Sequence, residues 1–318
     1  MKPFALGAAA VLFLAACAPA PLTPTPFVTA TPFVLSTVAR PTATPFATFT
    51  PAPTVTVVPL PTRTPVAADG GAVFEQAQRA AAARYKFAVE HGARFLSTPD
   101  GKSFYLLWYP LGADPGNPPR MIVSLHGHAA WALDEFFLWQ PFAEERGYGI
   151  IALQWWFGGG DGVADYYQPQ EIYRNLSALL AQHNIPAGAV LLHGFSRGAA
   201  STYGVTALDQ RSGNGYFALV VADAGGAAED LPINAAISEG AFGSRPFAGT
   251  HWVLYCGRQD PNPERDGCPA MERTRNWLTR FGGTVDLFLA DGGGHGGFNQ
   301  SKSNVNQALQ VFEDLLRP

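Results

Sequence analysis

A serine hydroxyl becomes a strong nucleophile only when the backbone presents it alone and a base can take its proton. Ser196 has the surroundings for the first condition: it lies in Gly194-Phe195-Ser196-Arg197-Gly198, after the apolar run 189–193 and before an Ala-rich stretch of helical character. A strand that turns sharply into a helix projects the turn residue's side chain at the positive end of that helix. The two glycines allow strand and helix to approach across so tight a turn. The pattern points to covalent catalysis by a hydroxyl.

Short runs rich in Val, Ile, Leu and aromatics alternate with helical patterns along the rest of the chain, which predicts stacked βαβ units and a mostly parallel sheet. Segments 94–97 and 103–109, around Pro99-Asp100-Gly101, read as an opening hairpin. Strands follow at 121–125, 149–154, 189–193, 217–222, 252–256 and 285–289. Helices are expected at 134–146, 171–183, from 197, 269–281 and 305–316. Such a sheet carries its chemistry at the carboxyl ends of its strands.

With the elbow in this setting, residues 93–318 resemble the α/β-hydrolase superfamily, and an α/β-hydrolase fold with helices on both faces of the sheet is what the resemblance implies. The superfamily's chain order is nucleophile, acid, histidine. His295, in Gly292-Gly293-Gly294-His295-Gly296-Gly297, lies between the last strand and the last helix, where the superfamily keeps its base. Asp260, reached from strand 252–256 through Gly257-Arg258-Gln259, resembles the acid after the penultimate strand. Asp223, one strand earlier, is the alternative acid. Asp286 and Asp291 read as structural or solvated. Two donors are needed for the oxyanion. One is the backbone N–H of Arg197; the other belongs to His126-Gly127-His128, which resembles the superfamily's His-Gly loop, through Gly127 or His128. The Arg197 side chain reads either as a binder of a substrate carboxylate or as half of a structural ion pair. Trp155, Trp156 and Phe157 are expected to wall a substrate pocket, with a hydrophobic plug as the other reading, and segment 225–246 is a candidate cap. His193 reads as a packed strand-end residue.

The implied activity is hydrolysis of carboxylic esters through an acyl-enzyme, with acyl transfer or peptide cleavage as alternatives on the same triad. No cofactor and no metal is expected. A metal hydrolase using His126, His128, Asp223 and His295 is a weaker reading, since ligand-rich spacings such as His-x-x-Glu-His are missing. A non-catalytic binding lipoprotein with a hydrolase fold is a third, opposed by the presence of serine, histidine and acid together.

Composition bounds the setting. The 318 residues hold 21 Lys+Arg against 25 Asp+Glu, net charge −4, without a basic cluster, so nucleic acid is not an expected partner. Lys2 precedes an apolar stretch, 4–16, too short to span a bilayer as a helix, ending in Leu14-Ala15-Ala16-Cys17. This resembles a bacterial lipoprotein signal, implying that residues 1–17 form an export signal and that Cys17 carries a lipid. Residues 18–71 are rich in Thr and Pro, repeat Thr-Pro-Phe at Thr25, Thr31 and Thr44, and read as a disordered tether. Residues 72–318 form the catalytic domain, expected as a monomer on the outer face of the cell envelope, acting on a small or polymeric ester. With Cys17 lipidated, Cys256 and Cys268 remain as an even pair in an oxidising compartment, which favours a disulfide.

Overall fold

The computed structural model describes residues 70–114 and 117–317; the signal, Cys17 and most of the tether lie outside them. Helix α1 (Gly70–Ala80) and helix α2 (Ala82–Glu90) come first, so the expected domain start at residue 72 falls inside α1. Neither helix was apparent in the sequence. Phe74 of α1 anchors them by packing against Phe95 and Phe104, with ring centroids 5.0 and 5.1 Å away.

Strands β1 (Arg94–Ser97) and β2 (Phe104–Trp108) form the opening hairpin. Then follow β3 (Met121–Leu125), α3 (Ala132–Arg146), β4 (Gly149–Leu153), α4 (Pro169–Gln182), β5 (Val190–Phe195) and α5 (Arg197–Ser212). The chain continues through β6 (Phe217–Asp223), α6 (Pro232–Ser238), β7 (His251–Gly257), α7 (Cys268–Arg280), β8 (Thr284–Asp291), α8 (Gly297–Gln300) and α9 (Lys302–Leu315). The eight strands form one sheet in the order β1-β2-β4-β3-β5-β6-β7-β8. Only the β1–β2 and β2–β4 pairings are antiparallel; from β4 to β8 every neighbour is parallel. This is the α/β-hydrolase fold.

The central strands read as continuous apolar runs because both faces of the sheet are covered: every residue of β2, β3 and β4 is buried. Arg146 of α3 reaches Glu313 of α9 at 3.1 Å, which ties those two helices together. Tyr203 of α5 meets Trp277 of α7 edge-on at 5.8 Å. Strand order reverses around β3 and β5, so the loops after these strands open side by side at the carboxyl edge. That crevice is where an open α/β sheet places its ligand.

Candidate active site

Ser196 stands between β5 and α5 with φ 54° and ψ −117°, a backbone conformation that a residue with a side chain adopts only under constraint. The constraint is visible around it. Its N–H donates to the Asp223 carbonyl of the neighbouring strand at 2.7 Å, and its carbonyl accepts from Ala200 at 3.0 Å. A Cβ built on Gly194 would come within 2.6 Å of the Gly198 carbonyl carbon, and one on Gly198 within 2.6 Å of the His126 carbonyl oxygen. Both glycines are therefore required by close backbone approach.

The Ser196 hydroxyl lies 2.8 Å from His295 Nε2, and His295 Nδ1 lies 2.7 Å from Asp260 Oδ2. Each residue comes from a different loop at the carboxyl edge: after β5, after β8 and after β7. Two further hydrogen bonds fix the acid: Asp260 Oδ1 accepts from the Asn262 N–H at 2.8 Å, and the Gln259 N–H donates to the Gly293 carbonyl at 2.9 Å, joining acid loop to histidine loop. The Asp260 side chain has no solvent exposure, whereas that of His295 is 30% exposed. A buried carboxyl group behind a reachable imidazole is the arrangement that holds an imidazolium as it forms.

Asp291, expected to be structural, braces the same loop. It accepts from the Gly293 N–H, the Tyr255 hydroxyl and the Asn304 amide, each at 2.8 Å. Burial raises its pKa, but these donors outweigh it and hold the carboxyl below its ordinary range. Asp286 instead pairs with His251 at 3.0 Å, on a neighbouring strand and away from His295.

Cys256, near the end of β7, is bridged to Cys268, the first residue of α7, with Cα atoms 4.9 Å apart. The bridge closes the loop that carries Asp260.

On the opposite side of Ser196, the loop after β3 runs alongside the nucleophile: a Cβ on Gly127 would lie 3.6 Å from the Ser196 Cβ and 2.8 Å from the Phe195 ring. His126 holds that loop from beneath. It donates from Nδ1 to the Gly127 carbonyl at 2.8 Å and accepts the Trp155 N–H on Nε2 at 3.3 Å, a pattern that needs a neutral ring. Complete burial agrees, depressing its pKa to about 4. The Arg197 N–H, at the first position of α5, has no carbonyl four residues back within the helix to accept it, so it is free to serve as one oxyanion donor. Gly127 or His128 can supply the second from its backbone.

Several expectations are corrected. Trp155 and Trp156 do not wall a pocket: they are 2% and 9% exposed, and Trp155 stacks on His126 while its indole donates to the His126 carbonyl at 3.0 Å. Trp155 supports the loop after β3 as a core residue, Trp156 packs against Trp131 at 5.0 Å, and Phe157 packs edge-on against Tyr167 at 4.8 Å. Asp223 does not reach His295; its nearest basic partner is His193 Nε2 at 3.8 Å. The four histidines and acids of the metal reading diverge: His126 is enclosed, His128 faces Tyr166 and Asp161, Asp223 faces His193, and His295 faces Ser196 and Asp260.

The sequence reading missed a buried charged trio beneath the elbow. His193 Nδ1 lies 3.2 Å from Glu135 Oε2 and 2.8 Å from the Ser124 hydroxyl, with Asp223 on the ring's other edge and Trp139 edge-on against it at 5.0 Å. Burial pulls the His193 pKa down, but the two carboxylates outweigh it and raise it to about 9. Glu135 is held below its ordinary value by His193 and Ser124 despite burial, whereas burial raises Asp223 to about 6. The three come from α3, β5 and β6, far apart in the sequence, so no local motif marks them.

Fold and site together define an α/β-hydrolase architecture with serine, histidine and aspartate in one hydrogen-bonded line. No protein-family model matches this chain, and no curated protein matches it in sequence. Solved structures do resemble it. An esterase of Pyrobaculum calidifontis aligns with TM-score 0.54 and 14% identity over 76% of this chain and 91% of its own. An esterase/lipase from an uncultured bacterium aligns with TM-score 0.52 and 10% identity over 70% and 83%. Esterase B of Lactobacillus rhamnosis aligns with TM-score 0.50 and 16% identity over 78% and 96%. At these identities the likeness is one of fold.

Proposed function

We propose that this protein hydrolyses carboxylic esters through an acyl-enzyme on Ser196. The observation that carries the reading is the continuous line Asp260–His295–Ser196, with both hydrogen bonds under 3 Å. In it, Ser196 Oγ attacks the ester carbonyl as His295 Nε2 takes its proton. Asp260 keeps His295 protonated on Nδ1 and stabilises the imidazolium. The oxyanion accepts hydrogen bonds from the Arg197 N–H and from the backbone of Gly127 or His128. His295 then returns its proton to the leaving alcohol, and water, activated by the same imidazole, releases the acid. No step needs a metal or an added cofactor.

Turnover of p-nitrophenyl acetate by the purified domain tests the reading. Ser196→Ala should lower kcat by about a million-fold, and a chelator should leave the wild-type rate unchanged. Full activity in Ser196→Ala, or loss on chelation, would refute it.

The bridge between Cys256 and Cys268 bears on both stability and rate. Opening this short loop should cost about 3 kcal/mol in the chain-entropy account, lowering Tm by roughly 6–12 °C. Turnover should fall as well, because Asp260 rides on the loop. Melting curves and initial rates with and without reductant check this; unchanged values would mean that the bridge constrains neither.

The reading extends to the cell surface: the domain is exported, tethered by residues 18–71 and anchored through a lipid on Cys17. Lys2, the apolar stretch 4–16 and Leu14-Ala15-Ala16-Cys17 support it, as does a disulfide, which suits an oxidising compartment. Metabolic labelling with a radioactive fatty acid should mark the wild type and spare Cys17→Ser.

A further inference from the structure

Arg197 offers more to the site than its backbone. Its guanidinium lies 3.8 Å over the ring of Tyr166, and its Nη1 donates to His128 Nδ1 at 3.3 Å. That nitrogen also lies 3.1 Å from the Tyr166 hydroxyl, which itself accepts the Ala129 N–H at 3.1 Å and so donates to His128. His128 Nε2 faces Asp161 Oδ1 at 3.1 Å. The Arg197 N–H and the Tyr166 hydroxyl share the single lone pair of Nδ1, which leaves Nε2 to the Asp161 carboxylate. The arginine is thus held in place by an aromatic face and an imidazole nitrogen.

No carboxylate lies within ion-pairing distance of Arg197 among the described residues. Of the two expectations for this side chain, the structural ion pair is therefore not realised. A guanidinium has five N–H donors in a planar fork shaped for a carboxylate, and among the described residues one of them is engaged. Stacking fixes the plane without consuming donors, so the group is oriented before any ligand arrives.

Its position says which part of a substrate it meets. His295 approaches Ser196 from the β8 side and has to face the leaving oxygen to return a proton. The Arg197 side chain lies on the other side, over Tyr166 in the segment after β4 and against the loop after β3. In the esterase reading the acyl half of the ester, which projects away from the leaving alcohol, would lie on this side.

We propose, resting on the esterase reading above, that Arg197 is a specificity-determining residue. It receives a free carboxylate on the acyl half of the substrate, so the preferred substrates are half-esters of dicarboxylic acids. The net charge of −4 on the chain does not attract anions, so the preference rests on this local contact.

The test compares ethyl hydrogen succinate, glutarate and adipate with their neutral isosteres, in which an amide replaces the free carboxylate. For the best chain length, wild-type kcat/KM should favour the acid over the amide by roughly ten- to a hundred-fold, the range of a charge-assisted bidentate contact. Arg197→Met keeps the backbone N–H and an unbranched stem over Tyr166, and should bring the ratio to about one or below. Arg197→Lys should retain part of it, because charge survives and the fork does not. A wild-type ratio of one or less at every chain length, or a ratio unchanged in Arg197→Met, overturns the proposal. Labelling by an uncharged fluorophosphonate separates the two readings. Labelling of Ser196 with no acid preference removes this inference and leaves the esterase reading standing. If neither labelling nor turnover occurs, the esterase reading fails, and calorimetry on Ser196→Ala decides the site alone. Binding of ethyl hydrogen adipate that is lost on adding Arg197→Met supports it, and equal or absent binding in both proteins overturns it.

Discussion

Asp260→Asn is expected to lower kcat by about 10,000-fold with the fold intact, the largest loss of any substitution that leaves nucleophile and base in place. The carboxylate Oδ2 receives the Nδ1 proton of His295 at 2.7 Å, while Oδ1 is occupied by the Asn262 N–H at 2.8 Å. An amide there keeps its oxygen on the Asn262 N–H and turns its NH₂ toward His295. The imidazole then has to accept on Nδ1 and carry its proton on Nε2, where it can no longer take the serine's. Asp223→Asn should have a milder effect on rate, since Asp223 faces His193 rather than His295. Steady-state kinetics and melting curves on both variants check the assignment. The reverse ranking would move the acid to the end of β6.

A second large effect is expected in stability as pH rises. His193 titrates at about 9 in the folded protein against an ordinary value near 6.5, so its contribution is complete below about pH 6.5 and is lost as pH rises through 9. Asp223, raised from 3.8 to about 6, likewise loses stability as pH rises, but between those two values, so its destabilising change is already complete by pH 7. Glu135, held low, stays ionised throughout. Between pH 7 and 10, His193 is therefore the member of the trio that changes charge, leaving two buried carboxylates unpaired. The loss amounts to about 3 kcal/mol, or roughly 6–12 °C in Tm. His193→Gln should melt lower at pH 7 and show a flatter decline over the same range. An equally steep decline in that variant would place the titrating group elsewhere.

Strands covered on both faces were legible because burial demands an uninterrupted apolar run: β3 matches its expected bounds, 121–125, β4 differs from its own by one residue at one end and β7 by one residue at each end. The elbow was legible for a different reason, since Gly194, Ser196 and Gly198 meet a steric requirement within five residues. Helices α1 and α2 were not: the stripe Val73, Phe74 and Ala77 of α1 is short and set among alanines, and α2 buries only Ala88, so the pair gains its order from Phe74 and its partners. Trp155 and Trp156 were misread because aromatics on a loop at the sheet edge look the same whether they face a ligand or a neighbour, and here His126 claims one of them. The Arg197–Tyr166–His128 group and the His193 trio depend on contacts between segments tens of residues apart, which only the folded chain brings together.

Ser196 is proposed as the nucleophile and His295 as the base that activates it. The most direct measurement is mass spectrometry of peptides after treating the purified domain with a fluorophosphonate, in the presence of a chelator. One phosphonyl adduct is expected, on the peptide containing Ser196, absent in Ser196→Ala and formed far more slowly in His295→Ala. An unlabelled wild-type protein, or an adduct that persists in Ser196→Ala, would contradict it.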